Sequence, residues 1–131
     1  MSAQPTSAYL ESIIESAPPI KIVRLLYEKA LQLVERARRI DPAQNRTQFA
    51  ETISKADAIV VELRLSLDRA PAPDIADSLE GLYLFCEEQF SEATASSSHA
   101  PLDGVTRVLS TLLDAWRRIE IDTTGQGRAA A

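Results

Sequence analysis

One histidine and one cysteine are the side chains of this 131-residue chain best suited to metal or nucleophilic chemistry. His99 lies just before Pro101, and a proline disfavours helical geometry in the residue that precedes it. A di-iron or di-manganese bundle needs Glu-x-x-His sequences on facing helices, and a phosphotransfer domain needs an exposed histidine on a helix. Neither pattern surrounds His99. We therefore expect it to be a solvated loop residue.

Cys86 falls on an apolar helical stripe, where no basic residue nearby would stabilise a thiolate. We expect a buried thiol that behaves as a small apolar side chain. A single cysteine cannot form an internal disulfide. The sequence also lacks Gly-rich phosphate loops and Ser-His-Asp arrangements. It therefore predicts no enzyme: no catalytic residue, no metal site, no cofactor and no small-molecule substrate.

The composition favours helices as the elements that position these residues. Hydrophobic residues make up 45% of the chain but aromatic residues only 5%, and there are only four glycines, whereas a sheet would need more aromatics and turn glycines. Proline is excluded from helix interiors. The seven prolines leave four long uninterrupted segments, residues 20–41, 43–70, 74–100 and 102–131.

Each segment carries apolar residues at alternating steps of three and four, the spacing of one helix face. Because the connections are short, we predict antiparallel neighbours. The fold class is therefore all-α, an antiparallel four-helix bundle over residues 18–121. A short N-terminal cap segment (1–17) precedes it, and a flexible tail (122–131) follows. The stripes are Ile22, Leu26, Ala30, Leu33, Ala37 and Ile40; Phe49, Ile53, Ala56, Val60, Leu63 and Leu67; Ile75, Leu79, Leu82, Cys86 and Ala93, widened by Tyr83 and Phe90; and Val105, Leu109, Leu112, Trp116 and Ile119.

Local signals agree with the helix ends. Asp74, just after Pro73, can cap the third helix. Arg36, Arg38 and Arg39 suit the last turn of the first helix, where cations complement the helix dipole.

The charge of the chain limits its partners. A net charge of −5 gives no electrostatic support for a nucleic-acid groove. No apolar stretch reaches the ~20 residues of a membrane span. The N-terminus has no basic region followed by an apolar run, so we expect no secretory signal peptide. These features predict a cytoplasmic protein with no nucleic-acid partner and no membrane insertion.

The second helix has more apolar residues than one core stripe needs. Ile59 to Val61 are apolar in a row and spread over about 200° of the helix. Val61 and Leu65, four residues apart, point together away from the stripe. Either a wide stripe is buried between two neighbours or these are isolated surface residues, or they line a groove for an amphipathic helix. A short apolar group too short to form a stable helix alone could cover such a groove: Tyr9, Leu10, Ile13 and Ile14.

Several short motifs occur in an order and spacing typical of one family. They are Tyr9, Leu26-Tyr27-Glu28, Ser66-Leu67-Asp68, Leu82-Tyr83 and Trp116. On these motifs the chain resembles the flagellar export chaperone family FliS over roughly residues 9–119. It departs where Pro18-Pro19-Ile20-Lys21 replaces a frequent Ser-Pro-Glu-Glu, and where Gly81 replaces a common alanine.

The resemblance implies a bundle that binds the C-terminal, otherwise disordered segment of flagellin. The client would wrap around the bundle, and one client helix would replace the N-terminal cap segment. Binding would prevent premature polymerisation and help deliver flagellin to the flagellar type III export gate.

The expected partner-binding residues come from two sources. Tyr9 follows from the family match, whereas Leu10, Ile13 and Ile14 in the cap, and Val61 and Leu65 in the groove, follow from the apolar pattern. The alternative is a non-enzymatic helical adaptor or a homo-oligomerisation module whose apolar patch is a self-interface.

Overall fold

The protein is a bundle of four long helices. The computed structural model describes the backbone of residues 19–130 and the side chains of residues 20–122. Helix α1 spans Pro19–Arg38, α2 spans Arg46–Leu65, α3 spans Pro73–Ser96 and α4 spans Leu102–Ala130. No strand occurs within these described residues. The all-α prediction is confirmed.

The order of the helices around the bundle follows from their short connections. Helix α1 packs against α2 and α4, and α3 packs against the same two helices, so α1 and α3 lie on opposite corners. Ion pairs fix the direction of α4 relative to α1. Arg24 pairs with Glu120, whereas Arg38, farther along α1, pairs with Asp103 near the start of α4. The two helices are therefore antiparallel, as predicted.

The ends of the helices correct one local prediction. Ala72 is the N-cap of α3, without a side-chain cap hydrogen bond, and Pro73 is the first helical residue. Asp74 therefore lies inside the first turn, where its charge still complements the helix dipole. Arg36 and Arg38 lie in the last turn of α1, as expected.

The fourth helix continues to Ala130, across most of the segment predicted to be a flexible tail. The flexibility predicted for residues 122–131 stays a prediction. The predicted cap segment, residues 1–17, lies outside the described residues. None of the helices in the described part of the chain is both long and apolar enough to cross a lipid bilayer.

The core is centred on aromatic side chains from opposite corners of the bundle. Tyr27 of α1 and Tyr83 of α3 are both buried, and their hydroxyl oxygens are 2.5 Å apart, so one donates a hydrogen bond to the other. The Tyr27 ring also lies 6.4 Å from the Trp116 ring of α4, centroid to centroid. Burial in this setting raises the pKa of both phenols, Tyr27 above all. The pair therefore remains neutral and satisfies two hydroxyls that would otherwise be buried without partners.

Gly81, in the interior of α3, is exposed, and nothing lies within 4 Å of the position that a Cβ would occupy. We expect Gly81→Ala to raise the free energy of unfolding by about 1 kcal/mol, because alanine restricts the unfolded chain and favours the helix. Urea unfolding followed by circular dichroism measures this gain. Gly104→Ala is the matched control, since its Cβ would lie 3.0 Å from the Phe85 ring and should gain less. An unchanged or lower stability of Gly81→Ala would contradict the expectation.

Candidate partner-binding surface

A groove follows the outer seam between α2 and α3. Ile53 of α2 and Phe90 of α3 are buried and form its floor. Smaller and polar side chains form its walls, so the seam stays open to solvent between the two backbones. We call it the α2–α3 groove, and it is lined by Ala50, Ile53, Ser54, Asp57, Phe90, Ser91, Thr94 and Ala95.

The two predicted groove residues of α2 continue the line of this groove. From Ala50, the outward stripe of α2 runs through Ser54, Asp57, Val61 and Leu65 at steps of four, three, four and four. Residues at this spacing share one face of a helix. Val61 and Leu65 therefore extend the groove wall toward the end of the bundle where α2 ends.

A salt bridge ties the two helices together beside these apolar residues. Arg64 Nε lies 2.6 Å from Glu87 Oε2, and Nη2 lies 3.1 Å from Oε1, so the guanidinium binds the carboxylate through two hydrogen bonds. Leu84 precedes Glu87 by three residues, just as Val61 precedes Arg64. Val61, Leu65 and Leu84, which we call the apolar flank, thus lie within one turn of the salt bridge.

The apolar flank remains open to solvent. Leu65 is 70% exposed and Leu84 is 42% exposed, and Val61 is partly exposed. A bundle that used all of its apolar surface internally would not leave this stripe uncovered. A role of Val61 and Leu65 in binding a partner stays a prediction.

The other four predicted binding residues, Tyr9, Leu10, Ile13 and Ile14, lie outside the described residues.

Two residues that the periodicity assigned to the core are exposed instead. Ile75 is 63% exposed and Ile119 is 47% exposed. Ile75 lies in the first turn of α3, past the level at which α2 has ended, so no facing helix covers it. Ile119 lies in the part of α4 that pairs with the beginning of α1. Both therefore lie at the end of the bundle where α1 begins, and Leu65 lies at the same end.

Asp57 was not singled out by the sequence, because a lone aspartate in a helix is usually solvated. In the structure its Oδ1 is buried and has no hydrogen-bond partner among the described residues. Desolvation raises the pKa of this carboxyl group, and the nearby charge of Glu87 raises it further, while Arg64 acts in the opposite direction. An unpaired carboxylate oxygen on the wall of the α2–α3 groove is thus a costly feature of the free protein.

The seam between α1 and α4 also forms a cleft, of about 670 Å³, but its lining is of another kind. Charged residues dominate it, including Glu28, Glu35 and Arg117. Glu28 already pairs with Arg24 on α1 and, across the seam, with Arg117 of α4. These charges stabilise the packing of α4 on α1, and the cleft lacks the exposed large apolar side chains found on the apolar flank.

The residues first considered for chemistry form no catalytic site in the described part of the chain. His99 lies in the link between α3 and α4, as predicted, but it is not freely solvated. Its Nε2 lies 2.7 Å from the carbonyl oxygen of Ile40, and its ring packs edge-on against Phe49. His99 therefore holds the α3–α4 connection against the α1–α2 connection and the start of α2. Among the described residues, no cluster of three side chains could bind a metal ion.

Cys86 is fully buried in α3, as predicted, and desolvation raises the pKa of its thiol to about 12. We expect no reaction with a thiol reagent such as Ellman's reagent at pH 8 in the folded protein, and complete reaction in denaturant. Because the thiol ionises more readily in the unfolded chain, stability should fall as the pH rises from about 8.5 toward 12. Rapid labelling of the native protein would contradict this burial.

The chain matches a known protein family along most of its length. Residues 2–123 match the model described as flagellar protein FliS. The chain belongs to the FliS family. This match confirms the resemblance inferred from the short motifs, and it covers the whole region in which the α2–α3 groove and the apolar flank lie.

Relatives of the FliS family agree with this match along most of their length. A flagellar secretion chaperone FliS from Vibrio cholerae is 28% identical over 110 residues, which are 84% of this chain and 81% of the relative. Another, from Campylobacter jejuni, is 28% identical over 121 residues, covering 90% and 92% of the two chains. The relatives are named as chaperones.

A solved structure supports the fold. The crystal structure of a flagellar chaperone from bacteria superposes with a TM-score of 0.75 and 23% sequence identity, covering 91% of this chain and 99% of the other. At this identity the similarity establishes the helical bundle alone.

Proposed function

We propose that this member of the FliS family is a cytoplasmic chaperone that binds the C-terminal segment of flagellin and holds it until export. The observation that carries the proposal is the α2–α3 groove, which continues into an apolar flank that the bundle leaves uncovered. A groove of this kind fits an amphipathic helix with apolar anchors at successive turns.

The physical logic of such a chaperone is consistent with these features. A segment that makes contacts in a filament must have its apolar face covered before assembly. A disordered segment that folds on binding spends part of the interaction free energy on ordering. A large contact surface can then coexist with moderate affinity, so that the client can be released at the flagellar export gate without an enzyme.

Residues 1–17 complete the proposal as a displaceable cap. Helix α1 begins at Pro19, at the end of the bundle where Leu65, Ile75 and Ile119 are exposed. Tyr9, Leu10, Ile13 and Ile14 would cover apolar surface when no client is present, and a client helix would replace them. The bundle over residues 18–121 and the flexible tail over residues 122–131 complete this division of the chain.

Calorimetry tests the function directly. The protein would be titrated with full-length flagellin monomer, with flagellin lacking its C-terminal segment, and with a peptide of that segment, all from the same organism. We expect binding to the full-length protein and to the peptide, and none to the truncated protein. Equal binding to truncated and full-length flagellin would overturn the assignment of the C-terminal segment.

The competing function is a helical adaptor or a homo-oligomerisation module, and the exposed apolar residues also suit a self-interface. Light scattering at several concentrations separates the two. A dimer that persists in the presence of the flagellin peptide, and does not bind it, would favour the competing function. A protein that forms a one-to-one complex with flagellin would favour the chaperone.

A further inference from the structure

Asp57 lies at the end of the α2–α3 groove that is nearest the apolar flank. It stands four residues before Val61, and the groove floor beside it is the buried ring of Phe90. Its Oδ1 is buried and accepts no hydrogen bond from the described residues. Most buried carboxylate oxygens in proteins have a donor. The Asp57 side chain as a whole is only partly buried and lines the groove, so its carboxylate group can be reached by a client that lies there.

Arg64 is the nearby cation that could pair with the Asp57 carboxylate, but it already forms a salt bridge with Glu87. Arg64, two turns farther along α2, directs its guanidinium to Glu87 through two hydrogen bonds. Glu87 itself acts against the ionised form of Asp57, as does the burial of the carboxyl group. The groove side chains of α3 around this level, Phe90, Ser91 and Thr94, carry no positive charge. Among the described residues the Asp57 Oδ1 thus has no hydrogen-bond donor, and the charge of Arg64 only partly opposes the effects of burial and Glu87.

The neighbouring surface is acidic as well. A second depression on α3 shares Ser91 and Ala95 with the α2–α3 groove and is lined by Leu84 together with three carboxylates. These are Glu87, Glu88 and Glu92. A groove whose charged walls are mainly negative favours a positively charged occupant and disfavours an acidic one.

We propose that Asp57 is the polar anchor of the α2–α3 groove and binds a lysine or arginine side chain of the client. The client would be an amphipathic helix whose apolar residues pack against Val61, Leu65 and Leu84, while its cation reaches into the groove toward Asp57. A charge-assisted hydrogen bond at this point would fix the register of the helix along the groove. The inference rests on the proposed chaperone function and names the chemistry that selects the client.

The anchor also explains why the protein keeps an unfavourable group. In the free bundle the buried Oδ1 of Asp57 has no donor among the described residues, which lowers stability, and a cation bound to the carboxylate would offset that cost. Residues that serve binding are often retained at the expense of stability. We therefore expect Asp57→Ala to raise the Tm of the free protein and to weaken client binding. A purely structural residue would instead lower the Tm when it is truncated.

The decisive variant is Asp57→Asn, which keeps the shape of the side chain and removes its charge. Calorimetry with the flagellin C-terminal peptide should show an affinity at least about tenfold weaker than that of the wild type, the loss expected for one charge-assisted hydrogen bond. The affinity of the variant should also depend less on salt concentration. Glu51→Gln is the matched control, because Glu51 is an exposed acid of α2 that does not line the groove, and its affinity should be unchanged.

A double-mutant cycle identifies the client residue. Each lysine and arginine of the peptide would be replaced by glutamine and titrated against the wild type and Asp57→Asn. One replacement should weaken wild-type binding but have little further effect on the variant. Additive losses for every basic residue, or an affinity of Asp57→Asn within twofold of the wild type, would overturn the anchor alone. A wild-type protein that does not bind the peptide would overturn both the chaperone function and the anchor.

Discussion

Replacing Phe90 by alanine is expected to lower the free energy of unfolding by about 3–5 kcal/mol. Phe90 is only 1% exposed and belongs to the core cluster that all four helices form. Its removal eliminates apolar contacts and leaves a cavity under the α2–α3 groove, which the surrounding helices can fill only in part. Since a domain of this size is stable by about 5–15 kcal/mol, the loss should be visible as a large shift of the urea midpoint.

Phe85→Ala provides the matched control, because it makes the same chemical change in the same helix. Phe85 is 38% exposed, so its truncation should cost less, about 1–2 kcal/mol. Both variants would be measured by urea unfolding with circular dichroism as the signal. Equal losses for the two phenylalanines would contradict the packing of α3 described above.

The second large effect concerns binding and not stability. Leu65→Asp and Val61→Asp should each weaken the complex with the flagellin C-terminal peptide about thirtyfold, which corresponds to ~2 kcal/mol for one apolar side chain that is no longer buried. The helical circular dichroism should hardly change, because Leu65 is 70% exposed in the free protein. Calorimetry gives the affinity, and a thermal scan checks the fold.

Ile121→Asp is the matched control for Leu65→Asp. Ile121 is 68% exposed, close to the exposure of Leu65, but it lies on α4, which does not border the α2–α3 groove. Its replacement should leave the affinity within about twofold. Should Ile121→Asp weaken binding and Leu65→Asp leave it unchanged, the client surface would lie elsewhere on the bundle.

The two effects separate two uses of apolar side chains in one helix pair. Phe90 and Ile53 are buried in the core. Val61, Leu65 and Leu84 lie along the same seam but remain partly or largely exposed. A bundle with this arrangement can lose the flank without losing its fold. Substitutions in the apolar flank should therefore change binding without unfolding the protein.

The sequence alone determined the helices and most of their core faces. Proline positions and the three-four spacing depend only on local chain geometry, so they predicted four helices and their order correctly. In α2 the predicted stripe is buried from Phe49 to Leu63, whereas its last residue, Leu67, lies beyond the end of the helix and is only partly buried. The motif around Leu26-Tyr27-Glu28 also contributed to a correct family resemblance, although the sequence did not reveal that Tyr27 bonds to Tyr83 across the bundle.

Tertiary structure decided which residues are covered. Ile75 and Ile119 have the spacing of core residues, yet they are exposed, because burial depends on where the neighbouring helices end and not on periodicity. The burial of Asp57 Oδ1 without a donor, and the hydrogen bond between His99 and the Ile40 carbonyl, both depend on contacts between distant segments. Local spacing records the direction in which a side chain points from its own helix. Only the packed bundle determines what meets it there.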